Sequence, residues 1–237
     1  MNKIKVSAVS YTNTKPFVYG LTHSDIAGQI ELSLDIPSVC ASKLTTNQVD
    51  IGLVPVAALL DIPDYQIISN YCIGATGAVN SVFIFSDKPI EEITSIRLDL
   101  HSRTSNNLAL VLLKNYWKLV PEIVDSGEDA FVLIGDRTFG KQKEHQYAYD
   151  LAAEWQNFTS LPFAFAVWAA NKPLSEEFIK QFNIALRFGL DNRFEVIKDL
   201  PLNGFDLRDY FENKLDFDLD DKKREAIDKF LAYVQAL

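Results

Sequence analysis

Four polar clusters sit where apolar, alternating runs stop: Tyr11-Thr12-Asn13-Thr14, Ala78-Val79-Asn80-Ser81, Ser102-Arg103-Thr104-Ser105 and Gly135-Asp136. Their side chains are mostly hydroxyls and amides, which donate and accept hydrogen bonds without carrying charge. Such a set suits binding and orienting an anion better than nucleophilic attack. Singly, each has a structural reading: Asn13, Thr104 and Ser105 make good helix N-caps, and Gly135-Asp136 a turn. Together, at strand C-terminal ends, they mark the place where open α/β folds put ligands. The familiar catalytic signatures are missing. There is no Gly-x-Ser-x-Gly elbow and no His-Glu-x-x-His helix, and Gly74-Ala75-Thr76-Gly77 lacks the spacing and lysine of a phosphate loop. His23 and His145 fall in polar or charged stretches and read as solvated, whereas His101 borders the 102–105 cluster. Glu91-Glu92 and Asp220-Asp221 read as helix starts on solvated faces.

The elements that position these clusters belong to a chain of 237 residues, 48% hydrophobic and 23% charged, with a net charge of −9. That composition excludes disorder, and the length allows one large unit or two small lobes. The acidic balance and the lack of a Lys/Arg block argue against a nucleic-acid partner. Cys40 and Cys72 sit in apolar or helical surroundings and read as small hydrophobes, their spacing matching no zinc site; no metal is expected. The opening run from Met1 alternates as a strand and lacks the apolar core of an export signal, and no apolar run reaches membrane length. A cytoplasmic location with no membrane partner is the expectation.

Alternation places Ile4, Val6 and Ala8 on one strand face, and Lys15-Pro16 then opens a helix, since proline is tolerated in the first turn. Residues 29–34 form the next strand, Ser38 caps a short helix through Gln48, and 49–56 reads as a buried strand. This rhythm predicts right-handed crossovers in a mostly parallel sheet. A second set of alternating elements follows: an apolar strand at 81–86, a short strand at 96–100, and a helix of about four turns with Ala109, Leu112, Leu113, Tyr116 and Val120 on its buried face. A strand at 130–136, a helix through 151–155 and a strand at 161–169 complete it. From Ser175 the chain reads as helical, with Ser175 as a cap and a last helix from about Asp221. The apolar strands at 81–86 and 163–169 bracket a middle block of about eighty residues, as a chain crossing to a second α/β lobe and returning would require. The expected division is residues 1–85 plus 168–237 in one lobe and 86–167 in the other. A cleft between lobes would be lined by strand ends and helix N-termini, where unpaired N–H groups favour a carboxylate.

Read in order, Ser10-Tyr11-x-Asn13-Thr14-x-Pro16, Val49-Asp50-Ile51-Gly52-Leu53-Val54-Pro55, Ser102-Arg103-Thr104-Ser105, Ile134-Gly135-Asp136, Asp150-Leu151-Ala152-x-Glu154-Trp155 and Thr159-x-Leu161-Pro162-Phe163-x-Phe165-Ala166-x-Trp168 resemble the chorismate dehydratases, enzymes that begin the futalosine route to menaquinone. The similarity covers most of the chain and weakens after about residue 190. It implies a type II periplasmic-binding-protein-like fold, two α/β lobes joined by two hinge-crossing strands. The sister dihydroxynaphthoate synthase shares that fold but carries a Cys-Pro-Asn-Asp type run where this chain has Tyr11-Thr12-Asn13-Thr14. Asn106-Asn107 depart from the family pattern, where smaller or apolar residues are usual. A non-catalytic solute-binding protein and a regulator's sensing domain share the fold; against them stand the absent export signal and the absent helix-turn-helix.

The resemblance implies a hydro-lyase without cofactor, acting on a dianionic small molecule as a monomer or weak homodimer. Chorismate would lose water to give 3-[(1-carboxyvinyl)oxy]benzoate, aromatisation supplying the driving force. The protein then needs mainly to hold the dianion in its eliminating conformation and stabilise developing charge. Asn13 is expected to orient the departing hydroxyl and Ser81 to hold a carboxylate. Thr104 and Ser105, with the amides of the helix they open, are expected to receive a carboxylate, and Gly135, Asp136 and Ser38 to contact the other end. The scarcity of His, Glu and Lys in the clusters makes the substrate's own enolpyruvyl carboxylate the expected proton acceptor.

Overall fold

In a computed structural model the protein is described over residues 3–200 and 205–237. Met1 and Asn2, where the expected opening strand begins, lie outside the described residues.

The first sheet contains β1 (Ile4–Val9), β2 (Ile30–Asp35), β3 (Ile51–Pro55), β4 (Gln66–Ala75), β10 (Phe163–Ala170) and β11 (Asp216–Asp218), in the order β11-β4-β10-β3-β1-β2. The second contains β5 (Val82–Ser86), β6 (Ser95–Arg97), β7 (Glu122–Ile123), β8 (Ala130–Ile134) and β9 (Tyr147–Asp150), in the order β7-β6-β8-β5-β9. Helices α1 (Lys15–Thr22), α2 (Pro37–Thr45), α3 (Arg103–Leu112), α4 (Leu151–Thr159), α5 (Glu176–Asp191), α6 (Arg193–Ile197), α7 (Leu207–Asp209) and α8 (Asp221–Gln235) complete the chain. β3 is buried along its whole length, which explains its continuous apolar run. Ser175 caps α5 by accepting from the Phe178 N–H at 3.3 Å, as its position before two glutamates predicts. α1 and α5 meet backbone to backbone: a Cβ on Gly20 would lie 2.0 Å from the Ala185 carbonyl oxygen, so only glycine permits the approach.

Several sequence expectations are corrected. The sheets are mixed, not mostly parallel: β1 pairs β2 and β3 in parallel, but β10 runs antiparallel to β3 and β4, and β5 antiparallel to β8 and β9. Alternation within a strand carries no information about the direction of its neighbour. Val120 does not join the buried face of the α3 helix; it is 90% exposed. The helix runs on from α3 through a π-turn at Leu113–Trp117 and stops at Lys118, whose φ of 62° breaks it before Val120. The region after Ser175 is not wholly helical, since β11 adds an edge strand to β4. His145 is not simply solvated: its ring packs against Phe85 and Phe131, with centroids 5.2 and 5.1 Å away. Ser38 is not a cap, because α2 starts at Pro37 with Ile36 in the cap position.

The two bracketing apolar strands fall in different sheets, β5 in the second and β10 in the first. The chain therefore leaves the first sheet after β4 through residues 76–81 and returns to β10 through residues 160–162. Asp150 anchors the outgoing segment. Its carboxylate accepts from the N–H groups of Val79 (3.2 Å) and Asn80 (2.7 Å) while capping α4 through Ala152 (3.0 Å) and Ala153 (3.2 Å). Four backbone donors on one buried carboxylate hold the crossing and the start of α4 as one piece.

Candidate active site

Strand ends from both sheets meet at a cavity of about 60 Å³. Val9, Tyr11, Asn13 and Thr14 come from the end of β1 and the turn after it, and Ser81 and Val82 from the start of β5. Ile134 and Gly135 come from the end of β8, Ser102 and Ser105 from the first turn of α3, and Phe165 and Ala166 from β10. No lining residue carries a formal charge. The acidic balance of the whole chain is thus kept off this surface, which offers apolar walls, hydroxyls, one carboxamide and backbone amides.

Each cluster is set by its own local structure. After β1 a single 3-10 turn, Thr12–Thr14, runs straight into α1. Neither Asn13 nor Thr14 makes a capping bond there. The Thr14 hydroxyl donates instead to Asn13 Oδ1 at 3.2 Å, fixing the amide's orientation. At α3 the cap is Ser102, whose Oγ accepts from the Ser105 N–H at 3.1 Å and donates to Ser105 Oγ at 2.9 Å. Gly135 has φ +64°, and a Cβ there would stand 3.1 Å from Cδ2 of Tyr11, so the tyrosine ring lies on a site that only glycine keeps open. The Gly135 N–H donates to the Ser81 carbonyl at 2.8 Å, joining the two clusters through backbone.

Of the residues singled out from sequence, Asn13, Ser81, Ser105 and Gly135 line the cavity, whereas Ser38, Thr104 and Asp136 do not. Ser38 follows Pro37, which is the lining residue of α2. Thr104 is 1% exposed, and its Oγ1 accepts from the Ala57 N–H at 3.1 Å. Asp136 accepts from Thr12, through N–H at 3.2 Å and through Oγ1 at 2.8 Å. Both side chains thus tie the second-sheet unit to the first. Two more ties lie beside them: Tyr11 Oη to His101 Nδ1 at 3.0 Å, and Arg103 to Asp61. Behind Tyr11, the Arg137 guanidinium spans both carboxylate oxygens of Asp99 at 2.9 and 2.8 Å.

Sequence reasoning missed Tyr210. This phenol is 1% exposed and donates to Ser81 Oγ at 2.8 Å. Burial pushes its ionisation well above the ordinary tyrosine range. It stands in the C-terminal stretch where motif similarity fades, and nothing in its local spacing distinguishes it from a core aromatic.

The site can hold an anion and orient it, but it is not arranged as a hydrolase. Ser81 is bonded to a phenol, and Ser102 and Ser105 to each other, so none of these hydroxyls rests on a histidine or carboxylate base. Among the described residues no group of three or more His, Cys, Asp or Glu comes together, and no helix is long and apolar enough to cross a membrane.

Known proteins resemble this one at two levels. Protein AF1704 from Archaeoglobus fulgidus superposes with a TM-score of 0.78 at 17% identity, covering 99% of this chain and 97% of that one. The Candida albicans CA3427 gene product, described as having the generic periplasmic binding protein fold, superposes with a TM-score of 0.67 at 14% identity, covering 100% and 91%. These likenesses establish the fold as the two-lobed periplasmic-binding-protein architecture. In sequence, the chain is 28% identical over 154 residues to the chorismate dehydratase of Campylobacter jejuni, an alignment spanning 62% of each protein. The model of the family described as "Menaquinone biosynthesis" matches from residue 4 to residue 236. With the match running through nearly every element that builds the cavity, the chain belongs to the menaquinone biosynthesis family.

Proposed function

We propose that the chain is a chorismate dehydratase, a hydro-lyase that removes water from chorismate to give 3-[(1-carboxyvinyl)oxy]benzoate. The observation that carries this reading is that Asn13 and Ser81 both face one cavity whose lining bears no charged side chain. Similarity to the Campylobacter jejuni enzyme supports it.

Loss of water takes a proton from the ring carbon bearing the enolpyruvyl ether and hydroxide from its neighbour. The product is aromatic, so little catalytic power is needed beyond conformation and charge stabilisation. Asn13 orients the departing hydroxyl, and Ser81 holds a carboxylate. Ser105, with the first-turn amides of α3, receives a second carboxylate at the positive end of that helix, and Gly135 bounds the cavity opposite. The substrate's enolpyruvyl carboxylate accepts the ring proton. The lobes follow the two sheets and divide at the crossings 76–81 and 160–162, which puts β5 in the second lobe and β10 in the first and moves the boundaries from the expected 85/86 and 167/168. Thr104 and Asp136 contribute through the ties that keep the lobes together, and Ser38 through its place in the first turn of α2 beside Pro37. A cavity of about 60 Å³ is far below the ~300 Å³ or more of ordinary ligand pockets. Loading therefore requires those ties to release and re-form around the substrate, excluding water from the reacting anion.

Incubating the purified protein with chorismate and following the loss of its diene absorbance tests the proposal. Turnover to an aromatic product is expected. Binding of chorismate with no loss of absorbance would mark a solute-binding protein and overturn the reading.

A further inference from the structure

We propose that Tyr210 is a positioning residue for the elimination, donating to Ser81 Oγ and so aiming the serine proton into the cavity that Ser81 shares with Asn13. The inference rests on the reading of the cavity as the site of chorismate dehydration.

Tyr210 opens a π-turned stretch, Tyr210–Lys214, that continues the short helix α7. The Leu215 N–H reaches back to the Tyr210 carbonyl at 2.9 Å. Such i→i+5 turns are uncommon and concentrate at functional sites. The ring is wedged edge-on between Phe139 of the second-sheet unit (5.6 Å) and Phe205 (5.4 Å), with Phe211 at 5.5 Å. Packing alone would accept phenylalanine at this position. A buried hydroxyl is costly unless it is hydrogen-bonded, and this one is bonded to a candidate site residue 129 positions away.

The direction of each bond follows from chemistry. The Tyr210 phenol is more acidic than an alcohol and so donates to Ser81 Oγ, which is 2% exposed. With that lone pair occupied, the Ser81 proton is free to point into the cavity. In a separate pair on the same lining, Thr14 donates to Asn13 Oδ1, which leaves the Asn13 NH₂ as the group facing outward from that pair. Tyr210 and Ser81 therefore form a directed pair in which the phenol's donation polarises the serine hydroxyl. Its last proton faces the substrate. Removing the phenol hydroxyl leaves Ser81 free to rotate. Small misplacements of orienting groups cost up to about 100-fold in rate.

The test is a double-mutant cycle on chorismate turnover, with thermal melting to confirm folding. Tyr210→Phe keeps the ring and is expected to lower kcat about 10- to 100-fold with KM changed less than about threefold. In the Ser81→Ala background, where the phenol has lost its acceptor, adding Tyr210→Phe is expected to change kcat less than about twofold. A merely structural tyrosine would lower activity by the same factor in both backgrounds. Should Tyr210→Phe alone fold poorly, the comparison of Ser81→Ala with the double variant still decides, because neither leaves Ser81 Oγ without its donor. An active wild type whose Tyr210→Phe variant stays within twofold, or whose double variant falls as far below Ser81→Ala as the single does below wild type, removes the role of Tyr210. A wild type inert toward chorismate removes the underlying reading and this inference with it.

Discussion

Cutting the Thr12–Asp136 tie with Asp136→Ala probes whether the closed arrangement is the reactive one. The carboxylate accepts from the Thr12 N–H at 3.2 and 3.3 Å and from its hydroxyl at 2.8 Å. Hydrogen bonds to a charged group contribute about 1.5–3 kcal/mol. Asp136 is exposed, and screening reduces this to about 1–2 kcal/mol. Because the bond joins two units that each hold their own sheet, the loss falls on lobe closure more than on folding. A change of about 1–2 kcal/mol shifts the closed-to-open ratio about 5- to 30-fold. Steady-state turnover of chorismate should show kcat/KM reduced by that factor, while the melting temperature moves by only a few degrees. Asp136→Asn keeps one acceptor oxygen and should fall between wild type and Asp136→Ala. A cycle with Thr12→Val, which removes the hydroxyl and keeps the N–H, should recover the hydroxyl's share of the effect as coupling between the two residues. An unchanged kcat/KM would refute the idea that this tie belongs to the reactive state. A loss beyond about 10³-fold would refute the tie as its role and place Asp136 against the substrate itself.

Asn13→Ala and Ser81→Ala should each lower kcat about 10²–10³-fold with unchanged circular dichroism, the usual cost of losing an oriented donor; His101→Ala, which loses only the bond to Tyr11, should stay within about tenfold. Chorismate esterified at its enolpyruvyl carboxylate should bind, as a competitive inhibitor assay would show, and should not aromatise; full turnover would exclude substrate assistance. Gly135→Ala must hold an L-residue at φ +64° with its Cβ 3.1 Å from the Tyr11 ring, so chemical denaturation should show a loss of about 1–3 kcal/mol. Burial pushes the Cys40 thiol up to about 11, and the Cys72 thiol higher still. At pH 8 both remain protonated, so a thiolate-selective reagent should label neither in the native protein and both after denaturation.

How much of this was legible beforehand depends on the range of the interaction involved. Residue periodicity, the Ser175 cap and the apolar run at Ile51–Pro55 place β1, β2, β3, β5, β8, β10, α5 and α8 because those signals act within a few residues, whereas β4, β7 and β9 carry no such signal. The ordered motifs carried the two-lobed architecture, which the structural likenesses then established. Strand direction is not legible in the sequence, since β10 and β4 pair antiparallel across 88 positions or more and no local pattern encodes the partner. Val120 lies off the buried face that the helical repeat predicts, because the repeat does not reveal where Lys118 takes a positive φ and ends the helix.

The site divides along the same line. Hydroxyl and amide residues at strand ends were visible in the chain as a neutral, anion-orienting set, and that chemical character belongs to the amino-acid types themselves. Which of them face the cavity was decided by packing: Thr104 turns to the Ala57 amide and Asp136 to Thr12, while Ser81 and Asn13 stay on the lining. Tyr210 reaches Ser81 only because the C-terminal stretch folds back against Phe139 of the second-sheet unit. A side chain's type fixes what bonds it can make, but its partner depends on the balance of long-range burial, and that balance exists only in the folded chain.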